Sequence, residues 1–420
     1  MFRGGDRSAA HGWNPFLSTL QAGAVRLVIA YTSVGAGHAR AAQAIEAALK
    51  RLDPPIDAEV IDVLDHAPWW FRRLYAGGYG WAASHWPGLY GFFYRALNQR
   101  LRWYQRPAEW FRLRLETLAT RRFALYLARR QPLHLVSAHV FFAPHVGVEF
   151  ARLLDRVRHI VVVTDNEAHR FWVAEGTERY FVNSQDVTKD LVGFGVARER
   201  ITVSGIPVDP LWYEACDPAA VRARWALPAD RPIVLMVGGA NFTVGPFGGM
   251  VRRFVEANPH LHLVAITGRN RKVYERLSRM SRVIQSLTVI EFTDRLHELM
   301  SVASLLITKP GGLITQEALV KRVPMILVNP IPGQETANAR YLTRHGAARL
   351  AASPDEVSSM VGEILGDEQR CRRMKAAACS LAKTGAQTIA GFIKEWMSES
   401  SGQGAVAGRS STEKPCLSGR

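Results

Sequence analysis

The stretch TKPGGLITQEALVKRVPMILVNPIPGQETANARYL, residues 308–342, contains the pattern that decides the fold. An apolar run ends at Thr308 and is followed by two glycines and a helical pattern, and a second apolar run covers Met325 to Asn329. This succession of strand, helix and strand predicts a βαβ unit. Such units build parallel sheets that are covered by helices.

Polar residues in the same stretch predict a nucleotide-sugar site. The backbone N–H groups of Gly311 and Gly312 precede the helix, so we expect them to face a diphosphate at its positive end. Glu317 follows about one turn later, where a carboxylate can accept the hydroxyl groups of a ribose. Hydrogen-bonding partners for a sugar ring follow the second strand, in the side chains of Gln334, Glu335 and Asn338.

The strand pattern recurs on both sides of this stretch. Before it come RLVIAY, AEVIDVL, LHLVSAHV, HIVVVTD and ERYFVNS, then PIVLMVGGA, HLHLVAITG and LTVIEF. The segment SGIPVDP, residues 204–210, combines Gly with two prolines and separates the two series. We therefore predict an α/β protein of two Rossmann-like domains with ligands in the cleft between them. The predicted division is a loose arm at 1–24, domains at 25–206 and 207–379, a helix at 380–397, and a disordered tail at 398–420.

A glycine turn lies in SVGAGH, residues 33–38, between a predicted strand and a helix rich in alanine. Such a turn lets a diphosphate approach the backbone, and His38 begins the helix, pointing into the cleft. The third glycine of the dinucleotide fingerprint is missing, which disfavours a dehydrogenase. On the loop alone, a helix-capping role for His38 is the stronger interpretation.

Composition points to a globular chain without a membrane span. The 420 residues carry a formal charge of +16, and no apolar run approaches the roughly 18 residues of a spanning helix. We expect no hydrophobic signal segment. The four cysteines show neither a zinc spacing nor a disulfide framework, which favours a reducing cytoplasm.

Residues 69–130 hold much of the positive charge, with twelve arginines, no lysine, two acids and six of the eleven tryptophans. Aromatic rings favour the bilayer interface and arginines favour anionic headgroups. We interpret the segment as a surface that docks on an anionic membrane. An aromatic core with a solvated arginine face is the plainer alternative. Nucleic acid is a further competitor, but no nucleic-acid motif accompanies the charge, so none is expected as a partner.

KPGG, the glutamate after LITQ, and NPIPGQE followed by Asn338 stand in the order of a known donor-binding motif. The chain resembles the monogalactosyldiacylglycerol synthase and processive diacylglycerol β-glucosyltransferase family, which is related to the peptidoglycan lipid-intermediate N-acetylglucosaminyltransferase. The resemblance covers roughly residues 25–397. It implies the GT-B architecture, in which the first domain holds the acceptor and the second holds the donor. In that architecture the last helix, predicted here at 380–397, crosses back to the first domain.

The resemblance also assigns roles to residues. His38 corresponds to the family's catalytic histidine, and Asp165, in VTDNEAHRFW, is expected to act as a base or to hold an imidazole. The family usually has glycine where this chain has Ala36. Donor contacts are expected from Gly37, Gly238, Gly239, Phe292, Thr293, Lys309, Gly311, Gly312, Leu313, Glu317, Gln334, Glu335 and Asn338. Acceptor or membrane contacts are expected from His139, His169, Trp81, Trp86 and Arg95.

The implied activity is inverting transfer of galactose or glucose from a UDP-hexose to diacylglycerol, forming a β-glycosyldiacylglycerol. The UDP-sugar is a substrate, and the motif requires neither a metal nor a cofactor. The expected location is the inner face of the cell membrane, as a peripheral protein. Alternatives are a polyprenyl-linked acceptor, an isomerase of the 2-epimerase type, and a non-catalytic membrane or nucleic-acid binding protein of the same fold.

Overall fold

A computed structural model describes residues 26–33, 36–73, 75, 86–98, 106–130, 134–139, 157–238 and 247–407. Within these residues the chain forms two six-stranded sheets, each with every neighbouring pair of strands parallel. Helices lie between most of the successive strands in the described ranges, as is usual for parallel connections. The predicted α/β class with two sheets in series is confirmed.

The first sheet has the order β2-β1-β3-β4-β5-β6. Its strands are β1 (Leu27–Tyr31), β2 (Glu59–Asp62), β3 (His134–Ser137), β4 (Arg158–Val162), β5 (Arg179–Val182) and β6 (Ile201–Val203). Helices of this unit are α1 (Ala36–Lys50), α2 (Pro87–Leu97), α3 (Arg106–Arg130) and α4 (Gln185–Gly193). Both faces of the sheet are apolar: alternate residues of β1, such as Leu27 and Val28, enter different buried clusters.

The second sheet has the order β12-β11-β10-β7-β8-β9. Its strands are β7 (Ile233–Val237), β8 (His262–Ile266), β9 (Leu287–Ile290), β10 (Ala303–Thr308), β11 (Met325–Leu327) and β12 (Ala348–Leu350). Its helices are α5 (Pro218–Arg224), α6 (Phe247–Ala257), α7 (Arg271–Ser281), α8 (Leu296–Val302), α9 (Gly312–Val320), α10 (Gln334–Arg344), α11 (Pro354–Leu365) and α12 (Glu368–Leu381).

Every strand pattern found in the sequence corresponds to a strand, but each sheet has one strand that the patterns did not predict. These are β6 and β12, which lie at sheet edges and contain only three residues each. An edge strand is paired on one side and partly exposed, so it shows neither a long apolar run nor clear alternation.

The last helix, α13, spans Gly385–Ala407 and packs on the first sheet. Its Ile389, Ile393 and Trp396 share a buried cluster with Leu27 and Ile29 of β1. The helix extends ten residues beyond Met397, where disorder was predicted from the Ser/Gly-rich composition. Once the packed turns have formed, each further residue adds one hydrogen bond, so the helix continues past its packed face.

The two chain segments that connect the units, around Gly205 and Gly385, contact each other. A Cβ on Gly385 would lie 2.7 Å from the carbonyl oxygen of Gly205, and a Cβ on Gly205 would lie 2.6 Å from the Cβ of Lys383. Gly205 also has a positive φ of 92°. Glycine is needed at this crossing because two backbones run closer together than any side chain permits.

Candidate functional site

The candidate site lies where both sheets reverse their strand order. In the first sheet the reversal falls between β1 and β3, and in the second between β7 and β10. Ligands of open α/β sheets bind at the carboxyl ends of the strands beside such a reversal. The segments that follow these four strands contain His38, His139, Gly238 and Gly312. The topology therefore brings together turns that the sequence analysis singled out separately.

His38 lies in the first turn of α1 and contacts two groups of its own unit. Its Nδ1 is 3.2 Å from the carbonyl oxygen of Ala138 and 2.9 Å from Oγ1 of Thr164. A carbonyl oxygen only accepts, so Nδ1 carries the ring proton and Nε2 holds the lone pair. Burial lowers the pKa of His38 to about 4, which keeps the ring neutral at pH 7.

His139 packs edge-on against His38, with ring centroids 4.3 Å apart. Its side chain is buried, and burial holds its pKa well below the ordinary value, with His38 as a further cause. Two adjacent imidazoles in this setting are both neutral, since charging either one would place a cation in a poorly solvated site. His139 thus forms a wall of the His38 environment.

Asp165 lies across the cleft from the second unit and accepts a hydrogen bond from Nε2 of Gln334. Burial raises the pKa of Asp165 to about 7, the Gln334 amide opposes this rise, and Glu167 and Glu335 add to it. The expectation that Asp165 holds an imidazole is not what the geometry shows. The described hydrogen bonds of His38 go to Ala138 and Thr164, because the chain turns after β4 and presents the hydroxyl of residue 164 instead.

Helix α9 presents an uncapped N-terminus to the cleft. Gly311 is its N-cap and no side chain caps the helix, so the first N–H groups of α9 remain available to an anion. The Gly311 N–H itself is not among them, since it donates to the Lys309 carbonyl at 2.8 Å. The predicted diphosphate contact of Gly311 is corrected accordingly: the tight turn uses its donor, and Gly312 and Leu313 in the first turn are better placed.

The two units meet closely at this helix start. A Cβ on Gly312 would lie 2.3 Å from the carbonyl oxygen of Thr164, and one on Gly37 would lie 3.9 Å from the Cβ of Leu313. Only glycine fits at position 312 in this arrangement, because the carbonyl that it faces is backbone. The starts of α1 and α9 therefore face each other across the cleft.

Glu317 is buried in the second turn of α9, with 2% of its surface exposed. Oε1 is 3.6 Å from Nη1 of Arg40, while Oε2 is buried and has no hydrogen-bond partner among the described residues. Burial raises the pKa of Glu317 to about 7, which Arg40 opposes and Asp209 reinforces. A buried carboxylate oxygen without a donor costs free energy, so its position calls for a ligand that supplies a hydroxyl or N–H group.

Lys309 and Glu335 form a partly buried ion pair at the end of β10. Nζ of Lys309 is 3.3 Å from Oε2 of Glu335, and the same oxygen accepts the Ile331 N–H at 2.7 Å. Glu335 and Gln334 begin α10, whose N-cap Gly333 has a positive φ of 95°. The glycine turn thus places these predicted sugar contacts at the cleft, where Gln334 already reaches Asp165.

Asn338 does not have the role that the sequence suggested. Its side chain is fully buried, with Nδ2 donating to the Pro310 carbonyl at 3.0 Å. Oδ1 accepts from both the backbone N–H and the side-chain amide of Asn166, at 2.9 and 3.0 Å. Asn338 therefore links the KPGG turn to the loop after β4. Its amide, which was expected to bind a sugar, is hydrogen-bonded to Pro310 and Asn166 instead.

The remaining predicted contact residues differ in their exposure and in their hydrogen bonds. Phe292 is 74% exposed beside Thr293, whose hydroxyl accepts the Arg295 N–H at 2.9 Å. His169 is buried and caps the short helix Arg170–Trp172, with its Nδ1 accepting the Phe171 N–H at 3.2 Å. Gly238 is buried and directly follows β7, whereas Gly239 and Trp81 lie outside the described residues. Trp86 is 57% exposed, and Arg95 belongs to α2.

Three residues of the site were missed by the sequence analysis, namely Arg40, Thr164 and Asn166. Each lies within two positions of a predicted residue, Arg40 after His38 and the other two beside Asp165. Proximity in sequence to a predicted site residue was the one indication that could have identified them. Their partners lie far along the chain, so no local pattern distinguished these residues from their neighbours.

No group of three or more metal-ligating side chains is found within the described ranges. Among the described helices, none combines the length and the apolar character needed to cross a bilayer.

Two family descriptions match the chain. "Monogalactosyldiacylglycerol (MGDG) synthase" matches residues 38–208, and "Glycosyltransferase family 28 C-terminal domain" matches residues 233–392. A curated relative, the processive diacylglycerol beta-glucosyltransferase of Staphylococcus carnosus (strain TM300), is 31% identical over 213 residues. That alignment covers 51% of this chain and 54% of the relative, so the chain spans about half the length of the curated relatives it matches.

Solved structures share the fold at low identity. S. aureus MnaA, solved with UDP, has a TM-score of 0.58 and 14% identity, with 89% of this chain and 97% of that chain covered. Acinetobacter baumannii MurG has a TM-score of 0.55 and 16% identity, with 88% and 99% covered. These likenesses show the GT-B fold, and the resemblance to the glycolipid glycosyltransferases is confirmed. Residues 38–208 of the chain are therefore similar to the monogalactosyldiacylglycerol synthase family, and residues 233–392 are similar to the glycosyltransferase family 28 C-terminal domain.

Proposed function

We propose that the protein is an inverting glycosyltransferase that moves a hexose, glucose or galactose, from a UDP-hexose to diacylglycerol and forms a β-glycosyldiacylglycerol. The observation that carries this proposal is the pairing across the cleft of a neutral histidine, His38, with an uncapped helix start and the buried Glu317. The names of the relatives supply the acceptor class and the β linkage. A UDP-hexose with an α linkage gives a β product by inversion.

The donor would lie at the start of α9. The first N–H groups of that helix and its dipole suit the diphosphate, and they stabilise the negative charge that develops on the departing UDP. Oε2 of Glu317 would accept a ribose hydroxyl, which removes the cost of its unpaired state. Gln334 and the Lys309–Glu335 pair line the place where the hexose would extend from the diphosphate. No metal is required in this proposal, because the helix and Lys309 supply the positive charge.

His38 would act as the general base. The contact of Nδ1 with Ala138 leaves the lone pair on Nε2, and burial keeps the pKa of the ring low enough for it to be neutral. Nε2 would take the proton of the acceptor hydroxyl as the hydroxyl oxygen attacks the anomeric carbon and UDP leaves. Asp165 follows β4 at the same edge of the first sheet, and burial raises its pKa to about 7. It would contact the acceptor or the hexose, and its hydrogen bond with Gln334 would hold it in place.

A membrane surface would present the acceptor. Of the fourteen large apolar side chains that are exposed in the described residues, nine fall between positions 69 and 125. They are Trp69, Trp70, Trp86, Leu89, Phe92, Leu97, Trp110, Leu118 and Leu125. Exposed arginines such as Arg72 and Arg114 accompany them. We propose that this surface docks peripherally on the cytoplasmic face of an anionic membrane, since aromatic rings enter the interface and arginines bind its headgroups.

The experiment that tests the function uses purified full-length protein with anionic vesicles that contain diacylglycerol. UDP-glucose, UDP-galactose and UDP-N-acetylglucosamine are supplied in turn, and UDP release and glycolipid mass are followed together. We expect a monoglycosyldiacylglycerol with one of the two hexoses, and NMR of the product should show a β linkage.

Matched controls make the result decisive. Vesicles without diacylglycerol and the Glu317→Ala variant should each give little product. Release of UDP without any glycolipid, or transfer only to a polyprenyl phosphate added in parallel, would contradict the proposed acceptor. Isomerisation of UDP-N-acetylglucosamine in place of transfer would contradict the reaction class.

A further inference from the structure

Thr164 is a buried residue of the first unit that follows β4, with 5% of its surface exposed. Its hydroxyl oxygen is 2.9 Å from Nδ1 of His38, which is closer than the Ala138 carbonyl oxygen at 3.2 Å. The contact joins residues that are 126 positions apart in sequence. The hydroxyl is therefore the nearest of the described polar partners of the imidazole, and it belongs to the loop after β4 rather than to the helix that carries His38.

The backbone of the same residue meets the second unit. The carbonyl oxygen of Thr164 lies so near to Gly312 that a Cβ there would be 2.3 Å from it. Gly312 is the first residue of α9, the helix whose N-terminus is open to an anion. One residue thus contacts His38 through its side chain and the start of the donor helix through its backbone.

We propose that Thr164 is a positioning residue for the transfer reaction. Its hydroxyl holds the His38 ring with Nδ1 protonated and the lone pair on Nε2, and its carbonyl sets the distance between that ring and the start of α9. This inference rests on the proposed function, because it takes His38 as the base and α9 as the diphosphate site. Thr164 itself need not touch either substrate.

The transfer reaction needs both the correct tautomer of His38 and the correct distance between its ring and the start of α9. The imidazole ring can carry its proton on either nitrogen, and only the form with a lone pair on Nε2 can accept a proton there. The Ala138 carbonyl accepts from Nδ1 at a longer distance, so the hydroxyl adds a second acceptor that restricts rotation of the ring. A shift of about 1 Å between a base and a bound donor is enough to slow the transfer.

The first test compares three variants in the vesicle assay. Thr164→Val removes the hydroxyl and keeps the shape, and Thr164→Ser keeps the hydroxyl. Thr188→Val is the matched control, since Thr188 is buried in the same unit and its hydroxyl donates to the Ser184 carbonyl within its own helix, at 3.2 Å. We expect Thr164→Val to lower kcat about five- to tenfold with an unchanged donor KM. Thr164→Ser should restore most of the loss, and the control should match the wild type.

Three outcomes would overturn the inference. The first is a kcat for Thr164→Val equal to that of the control. The second is an equal loss in Thr164→Ser, because serine keeps the hydroxyl and the loss would then not follow from its removal. The third is a change confined to donor KM, which would make Thr164 a binding residue.

A second measurement does not depend on activity. Nitrogen NMR of histidine-labelled protein distinguishes a protonated ring nitrogen from one with a lone pair. In the wild type we expect His38 to be protonated at Nδ1, and in Thr164→Val the fraction protonated at Nε2 should rise. Should the wild type transfer no sugar, the proposed function fails while this measurement still judges the role of the hydroxyl. An identical His38 spectrum in Thr164→Val would reject it.

The contact with α9 is tested by a double-mutant cycle. Gly312→Ala adds a Cβ that displaces either the helix start or the Thr164 carbonyl, so it should lower kcat at saturating donor. If that displacement acts through Thr164, Gly312→Ala should cost at least about threefold less in the Thr164→Val background than in the wild type. Losses that simply multiply would show that the carbonyl does not transmit the position of the helix.

Discussion

Glu317 combines a proposed role in donor binding with a free-energy cost to the folded protein. Its buried carboxylate has one oxygen near Arg40 and one without a described partner. The pKa raised to about 7 lies roughly 2.5 pH units above that of an exposed glutamate, which corresponds to about 3 kcal/mol against the charged form. A ligand that donates to Oε2 recovers much of this free energy.

Replacing Glu317 by glutamine should therefore stabilise the free protein while weakening donor binding. Because the folded pKa is raised above the unfolded one, stability is lost as pH rises from about 4.5 through about 7. We expect Glu317→Gln to raise the thermal midpoint at pH 8 and to raise it little at pH 4.5. Donor KM should rise about tenfold or more, since a charged acceptor is lost. An unchanged KM together with an unchanged midpoint would contradict both roles.

His38 is expected to act only on turnover. Replacing it with alanine or asparagine removes the lone pair that accepts the proton, so kcat should fall about 10²- to 10⁴-fold while donor KM changes little. His345→Ala is the control, because that ring is exposed on α10 and contacts the Tyr341 carbonyl. The assay is steady-state transfer at saturating donor. Near-full turnover in both His38 variants would remove it from the role of base.

At the scale of elements, helix α13 depends on one close backbone crossing. Its first residue, Gly385, faces the carbonyl oxygens of Gly205 and Ile206 at 2.7 and 2.8 Å from a would-be Cβ. Gly391, in the same helix, has nothing within 4 Å of a would-be Cβ. The two glycines therefore differ in environment although both belong to one helix.

Alanine at these two positions should have opposite effects. Gly385→Ala forces the crossing apart and should destabilise the protein by about 1–3 kcal/mol. Gly391→Ala gains helix propensity and should stabilise it by about 0.5–1 kcal/mol. Thermal unfolding of the two variants beside the wild type is the measurement. Equal midpoints would mean that the crossing tolerates a methyl group and that the observed packing is not required.

The arrangement of the whole molecule brings four elements to one cleft. Contacts between the units include the Asn166–Asn338 pair, Asp165 with Gln334, and the ion pair of Asp186 with Arg344. The exposed apolar surface, by contrast, is concentrated in the first unit, within residues 69–125. The second unit carries isolated exposed residues such as Val283. Membrane contact is therefore predicted for one unit and donor binding for the other.

Vesicle binding should follow this division. A triple alanine variant of Trp69, Trp86 and Phe92, which are 77%, 57% and 60% exposed, should bind anionic vesicles at least about tenfold more weakly. Val283→Ala is the control, because Val283 is 82% exposed on the second unit. Sedimentation at low and high salt is the measurement, since the arginine contribution is screened by salt. Equal binding of the triple variant and the control would contradict the docking surface.

Much of the architecture was readable from local patterns. Ten apolar runs identified ten of the twelve strands in the described residues, and the glycine turns after β1, β7 and β10 marked the edge of each sheet where ligands are proposed to bind. Glu317 was found because a helix start fixes where a residue about one turn later must lie. These features depend on short-range periodicity and on the rule that parallel strands end at one edge.

The partners of the site residues were decided only by the tertiary structure. The sequence suggested that Asp165 holds an imidazole and that Asn338 meets a sugar, but the chain after β4 presents Thr164 to His38 and Asn166 to Asn338. These pairs are 126 and 172 positions apart, and a difference of one residue in the loop changes which side chain faces the cleft. The sequence thus determined the elements and the edges where chemistry occurs. The packing of the two units determined the hydrogen bonds, because such bonds form only within a few tenths of an ångström of their preferred length.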